Sequence, residues 1–119
     1  MNDTKQIDWK RYGIYSPRAL DMPADWVYVA SIDSGGGYEW VEFHAFWSPT
    51  ARRYFWRGDS GCSCNSWRDG VYGAGDFRNG DRFALIRAIR EFAKEHDYFV
   101  SAAEALDAVA AVQAFKADR

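Results

Sequence analysis

Residues 39–57, EWVEFHAFWSPTARRYFWR, decide the fold, because two strand patterns flank a short turn. From Glu39 to Trp47, apolar residues alternate with a mixed set that includes His44, which predicts a strand with one face in the core. Pro49 favours a turn, and Arg52–Arg57 returns as a second strand with Tyr54 and Trp56 on one face. A link this short makes the two strands antiparallel neighbours.

A third strand pattern precedes this hairpin. Trp26–Asp33 is rich in Val, Tyr and Ile, and the glycine-rich residues 34–37 connect it to the hairpin. Residues 26–57 are therefore predicted to form a three-stranded antiparallel meander.

Two helices are predicted after the sheet. Apolar residues recur at core-facing spacing from Asp81 to His96, and a second helix begins at Ser101, where Ser101 and Glu104 form a capping box. The sequence thus predicts one α+β domain in which two C-terminal helices pack on one face of the sheet. Its parts are an irregular N-terminal arm (1–25), the meander (26–57), a long ordered Gly/Cys loop (58–80) and the two helices (81–117).

Composition indicates a folded chain with aromatic residues to spare. The 119 residues are 48% hydrophobic and 18% aromatic, with six Trp and eight Phe. Part of this aromatic surface is expected outside the core, where it marks a binding face. The net charge of −2 is segregated, since residues 52–90 carry eight Arg against four Asp, and both flanking segments are acidic.

The N-terminal segment and the two cysteines predict the cellular compartment of the protein. Met1–Arg11 is polar and has no apolar signal core, and no stretch approaches the roughly 20 apolar residues of a membrane helix. Cys62 and Cys64 lie two apart, which is close for an unstrained disulfide, so they are interpreted as thiols or metal ligands. A reducing, cytoplasmic location follows from that interpretation.

The segment Gly58–Trp67 (GDSGCSCNSW) carries the residues with chemical potential. Its first four residues resemble the stretch around the nucleophile of trypsin-like proteases, but the chain is too short for that double barrel. Cys62 and Cys64, together with Asp59 and either His44 or His96, could ligate zinc.

Two further interpretations of this segment stay open. One cysteine could be a reactive thiol with His44 as its base, if the two lie within hydrogen-bond reach. Alternatively, the small residues allow tight turns and the cysteines pack as small hydrophobes, which is the most frequent role of such a segment.

Aromatic and basic residues are interleaved on the last strand and the loop. Such a set stacks single-stranded bases or forms a protein–protein hot spot. The pI of about 5.6 disfavours nucleic acid and favours a protein partner. The predicted contact surface comprises Tyr54, Trp56, Arg57, Trp67, Arg68 and Arg78.

The aromatic hairpin followed by the motif DSGCSC, Asp59–Cys64, resembles a family of small uncharacterised proteins of actinobacterial phages and their hosts. The similarity covers roughly residues 38–70. Members often carry a proline soon after the second cysteine, whereas this chain has Asn65-Ser66-Trp67 there. The resemblance implies a phage-type accessory protein that is made in a bacterial cytoplasm. By analogy with other small phage proteins, it is expected to bind and block a host protein, for example a defence factor.

The predicted function is therefore that of a non-enzymatic binding protein with no catalytic residue and no cofactor. The alternatives are a small zinc- or cysteine-dependent enzyme using Cys62, Cys64, His44 and Asp59, a single-stranded nucleic-acid binder, and a virion-associated protein.

Overall fold

The sheet has four strands, one more than predicted. The computed structural model describes residues 7–117. The strands form an antiparallel sheet in the order β1-β2-β3-β4, so the meander itself is confirmed. They are β1 Val27–Gly36, β2 Glu39–Ser48, β3 Arg53–Cys62 and the short β4 Arg78–Gly80.

β3 continues five residues beyond the predicted end at Arg57, into the segment that was predicted as loop. The reason lies in its glycines, which are required here by close packing and not by a turn. A Cβ on Gly58 would stand 2.6 Å from the ring of Phe92, and one on Gly61 would stand 2.7 Å from the ring of Trp40. The connection between β3 and β4 thus shrinks to residues 63–77, which contain two short 3₁₀ turns, Trp67–Gly70 and Ala74–Asp76.

Both helices are present where the apolar spacing predicts them. α1 spans Arg82–Glu95 and is capped by Asp81, whose side chain accepts a hydrogen bond from the Ala84 amide at 2.9 Å. α2 spans Ala102–Ala114 and begins with the predicted capping box, with both hydrogen bonds of Ser101 and Glu104 formed. Within residues 7–117, neither helix has the length and apolarity that crossing a bilayer requires.

The helices cover one face of the sheet. The predicted apolar face of β2 points toward them, and Phe43 packs on Phe92 of α1 with ring centres 5.3 Å apart. Tyr54 and Trp56 of β3 lie in the same core. Alternation along β2 therefore directs its purely apolar residues to the helical layer.

The opposite face is also covered, which makes three layers instead of the predicted two. The N-terminal arm, which contains the 3₁₀ helix Trp9–Tyr12, and the connection 63–77 pack over it and enclose a second core. Trp26 is central, stacking on Phe55 at 4.7 Å and on Phe46 at 5.6 Å. The mixed face of β2 carries too much aromatic surface to be left in water, so these two segments bury it with short 3₁₀ helices and loops. The second core comprises Trp9, Ile14, Met22, Trp26, Phe46, Trp67, Val71 and Phe77.

Candidate functional site

Half of the predicted contact surface lies in the interior. Tyr54 and Trp56 face the helices, and Trp67 is 2% exposed beneath the connection that carries it. These three side chains contribute to the two cores and are buried, so the structure does not present them at a surface where a partner could bind. The composition indicated a surplus of aromatic residues, but the sequence did not reveal the second core that buries part of them.

Two of the predicted basic residues hold the connection in place. The Arg57 guanidinium donates to the Trp67 carbonyl at 2.9 Å, and the Trp67 indole donates back to the Arg57 carbonyl at 3.2 Å. The same guanidinium pairs with Asp59 at 2.7 Å and lies 5.2 Å from the Trp67 ring centre. Arg68 donates to the Val71 carbonyl at 3.0 Å, whereas Arg78 on β4 is exposed. Arg57 and Arg68 therefore act mainly on the protein's own backbone.

Cys62 and Cys64 form a disulfide, contrary to the interpretation as thiols or metal ligands. Their Cα atoms are 5.4 Å apart, within the ordinary range for a bridge, because the chain turns sharply after β3. Both residues are exposed. The inference of a reducing compartment rested on free thiols and loses that basis.

The residues of the zinc or reactive-thiol hypothesis are not brought together. Cys62 pairs with Glu39 across the sheet, and His44 lies five residues farther along β2, about 17 Å away at the rise of a strand. Asp59 is engaged by Arg57 and by the Ser60 amide. Within residues 7–117, no group of three or more His, Cys, Asp and Glu side chains could hold a metal ion.

Three connections meet at one end of the molecule, which we call the tip and define as residues 34–40, 60–66 and 95–100. The Ser63 amide donates to the Tyr38 carbonyl at 2.7 Å, and the Trp40 indole donates to the Cys62 carbonyl at 2.9 Å. The Ser34 hydroxyl donates to the Phe99 carbonyl at 2.6 Å, which joins the α1–α2 connection to the same end. The tip is thus fixed by hydrogen bonds between its three parts.

Exposed tyrosines project from this end. Tyr38 is 82% exposed and Tyr98 is 89% exposed. Among the residues of the tip there is no Lys or Arg, while Glu39, Glu95 and Asp97 are acidic. The tip is therefore an acidic surface with aromatic side chains, which sequence reasoning missed because it looked for aromatics next to arginines.

A polar chain of Ser31, His44 and Glu42 crosses β1 and β2 on the face of the second core. His44 Nδ1 lies 2.7 Å from the Ser31 hydroxyl, and Nε2 lies 2.9 Å from the Glu42 carboxylate. An ionised carboxylate only accepts, so the tautomer that fits these contacts has the proton on Nε2 and leaves Nδ1 to accept from the Ser31 hydroxyl. The ring is buried between Tyr12 and Trp67, with centres 5.0 and 4.8 Å away. The register between β1 and β2 places Ser31 opposite His44. The pattern of residues within one strand does not show this pairing, so the sequence did not predict the polar chain.

Burial shifts two pKa values beside the polar chain. It raises the pKa of Tyr12 to about 12, against a smaller lowering effect of Arg11. It also raises the pKa of Asp33, and the neighbouring Glu42 carboxylate adds to that rise. Both groups therefore favour their neutral forms more than they do in water.

A family model matches residues 22–119 of this chain. The chain belongs to the family described as a domain of unknown function, DUF7574. The matched range contains all four strands, the disulfide, the tip and both helices, and it omits the arm residues before 22. The comparisons found no similar curated protein and no similar solved structure. Membership in this family agrees with the prediction that the chain belongs to a family without a characterised function.

Proposed function

We propose that this protein is a non-enzymatic binding module that engages another protein through the tip. The observation that carries the proposal is the pair Tyr38 and Tyr98, 82% and 89% exposed on connections that hydrogen bonds fix. Tyrosine is enriched in protein-binding surfaces because it offers a large contact area and loses only two torsional freedoms on binding. A fixed scaffold reduces the ordering cost further.

The charge of the tip favours protein over nucleic acid. Nucleic-acid binding depends on Lys and Arg that neutralise phosphates, and the tip has neither. Its acidic residues Glu39, Glu95 and Asp97 favour a partner with a basic surface. The resemblance to phage proteins implies that this partner is a host protein of a bacterial cytoplasm, for example a defence or regulatory factor.

Replacing tyrosines inside and outside the tip tests this proposal. Host proteins captured by the full chain from a lysate are first purified, and their dissociation constants are measured by calorimetry. We expect the double variant Tyr38→Ala/Tyr98→Ala to weaken binding at least 100-fold, because each truncated hot spot costs about 2 kcal/mol or more.

The matched control is Tyr15→Ala/Tyr72→Ala, whose tyrosines are 72% and 74% exposed but lie outside the tip. It should bind like the unchanged protein. Equal weakening by both pairs, or by neither, would contradict the assignment of the contact to the tip. Capture that nuclease treatment of the lysate abolishes would favour the nucleic-acid alternative.

The polar chain favours a second candidate function, acyl transfer at Ser31. In this reaction the Ser31 hydroxyl attacks an ester carbonyl while its proton passes to His44 Nδ1, which then gives it to the leaving alcohol. Glu42 would hold the imidazole in the required tautomer. Water then hydrolyses the acyl-serine. A fluorophosphonate probe should label the protein and fail to label Ser31→Ala, while the exposed Ser60→Ala is labelled normally. An unlabelled parent protein would eliminate this candidate.

A further inference from the structure

The disulfide at the tip is a poor staple for the fold. Cys62 and Cys64 are separated by one residue, so their bond closes a very short loop. A disulfide stabilises a protein mainly by restricting the unfolded chain, and this effect is smallest for the shortest loops. Stability alone therefore gives little reason for this bond.

Hydrogen bonds hold the surrounding backbone without help from the sulfur atoms. The Cys62 carbonyl accepts from the Trp40 indole at 2.9 Å and from the Asn65 amide at 3.1 Å, and the Ser63 amide donates to Tyr38. The Trp40 indole also lies 3.2 Å from the Asn65 side-chain oxygen. If the bond were reduced, this network would keep the two thiols close enough to form it again.

Both cysteines are accessible from solvent, since Cys62 and Cys64 are exposed at the end of the molecule. A thiolate must reach a sulfur atom directly to exchange with a disulfide. Exposed disulfides are the ones that act in labile, regulatory or catalytic roles, whereas buried ones resist reduction.

From these three features we infer that Cys62–Cys64 is a reversible thiol–disulfide exchange site whose substrates are dithiols. The thiolate of a dithiol attacks one sulfur, the bond between the two cysteines breaks, and the leaving cysteine thiolate takes a proton from water. The second thiol of the dithiol then attacks the mixed disulfide. The dithiol substrate leaves as a cyclic or intramolecular disulfide and has lost two electrons. Cys62 and Cys64 are then both thiols.

This inference is independent of the proposed partner contact, because the exchange is measured on the purified full chain alone. The protein is first treated with oxidised glutathione, then with dithiothreitol at neutral pH without denaturant, and finally reoxidised. Each sample is quenched with acid and alkylated, and intact mass gives the number of thiols. We expect two thiols after reduction, none after reoxidation, and the same circular dichroism spectrum throughout.

Three outcomes would overturn the inference: thiols that persist in oxidised glutathione, a bond reduced only in denaturant, or loss of the folded spectrum upon reduction. The variants Cys62→Ser and Cys64→Ser supply a second measurement that does not depend on the bond itself. Each leaves one thiol that lacks its resolving partner, so at least one variant should retain glutathione as a stable mixed disulfide. The double variant Cys62→Ser/Cys64→Ser is the matched control and should retain none. Absence of a trapped adduct in both single variants would also overturn the inference.

Discussion

Replacing Trp67 by alanine is the sharpest test of the second core. The side chain is 2% exposed, so nearly all of the 150–250 Å² that a large aromatic buries is removed from water. At about 25 cal/mol per Å² this area corresponds to about 4–6 kcal/mol of transfer free energy. Buried Trp→Ala changes typically cost about 3–5 kcal/mol. Trp67→Ala also removes the indole donor from the Arg57 carbonyl, so we expect a loss of about 4 kcal/mol.

Thermal and urea unfolding, followed by circular dichroism, measure this loss. Across 119 residues the unfolding entropy is about 250 cal/mol/K, so a loss of 4 kcal/mol lowers Tm by about 16 °C. The matched control is Tyr72→Ala in the same connection, which removes a 74% exposed ring and should change stability by about 0.5 kcal/mol or less. If Trp67→Ala costs less than about 1 kcal/mol, the indole is not buried and the second core as described is refuted.

Three further perturbations test other parts of the structure. Within residues 7–117 the buried Tyr54 hydroxyl has no hydrogen-bond partner, so Tyr54→Phe should leave urea stability unchanged or raise it by about 1 kcal/mol, and a clear loss would reveal a partner. A Cβ on Gly70 would overlap the Arg57 guanidinium, so Gly70→Ala should lower the stability measured by thermal unfolding by about 1–3 kcal/mol. The control is Gly75→Ala, which should cost far less because a Cβ there meets open space among the described residues. The pKa of Tyr12 is raised to about 12 in the folded protein, so the free energy of unfolding should fall as pH rises from about 10 to about 12. Tyr12→Phe should reduce that pH dependence. Tyrosinate absorbance should show one tyrosine that ionises at higher pH than the others.

The sheet and the helices were predictable because local patterns encode them. Alternation along Glu39–Trp47 set both the strand and the face that meets the helices, and the capping box at Ser101 marked the start of α2. These signals depend on neighbours within a few residues, which a sequence displays directly. The one strand that was not predicted is β4, which has three residues and is too short to show the alternation of apolar and polar residues typical of a strand.

The second core and the site depended on contacts between distant segments. Gly58 and Gly61 indicated a loop, yet each makes room for a ring from another element. Trp67 looked like a surface anchor because the sequence does not reveal that the arm and the connection fold over His44 and Phe46. The tip was missed for the same reason, since its three parts are far apart in the chain and are brought together only by strand pairing and hydrogen bonds.

The N-terminal arm lies outside the range matched by the family model but is part of the packed structure. Similarity to the family begins at residue 22, yet Trp9 and Ile14 are buried in the layer over the sheet, and the Trp9 indole donates to the Pro23 carbonyl at 2.8 Å. A polypeptide trimmed to the matched range would present the aromatic face around Phe46 to solvent and would be prone to associate through it. The range matched by the family model is therefore smaller than the packed structure, and expression of this protein should keep the residues that precede position 22.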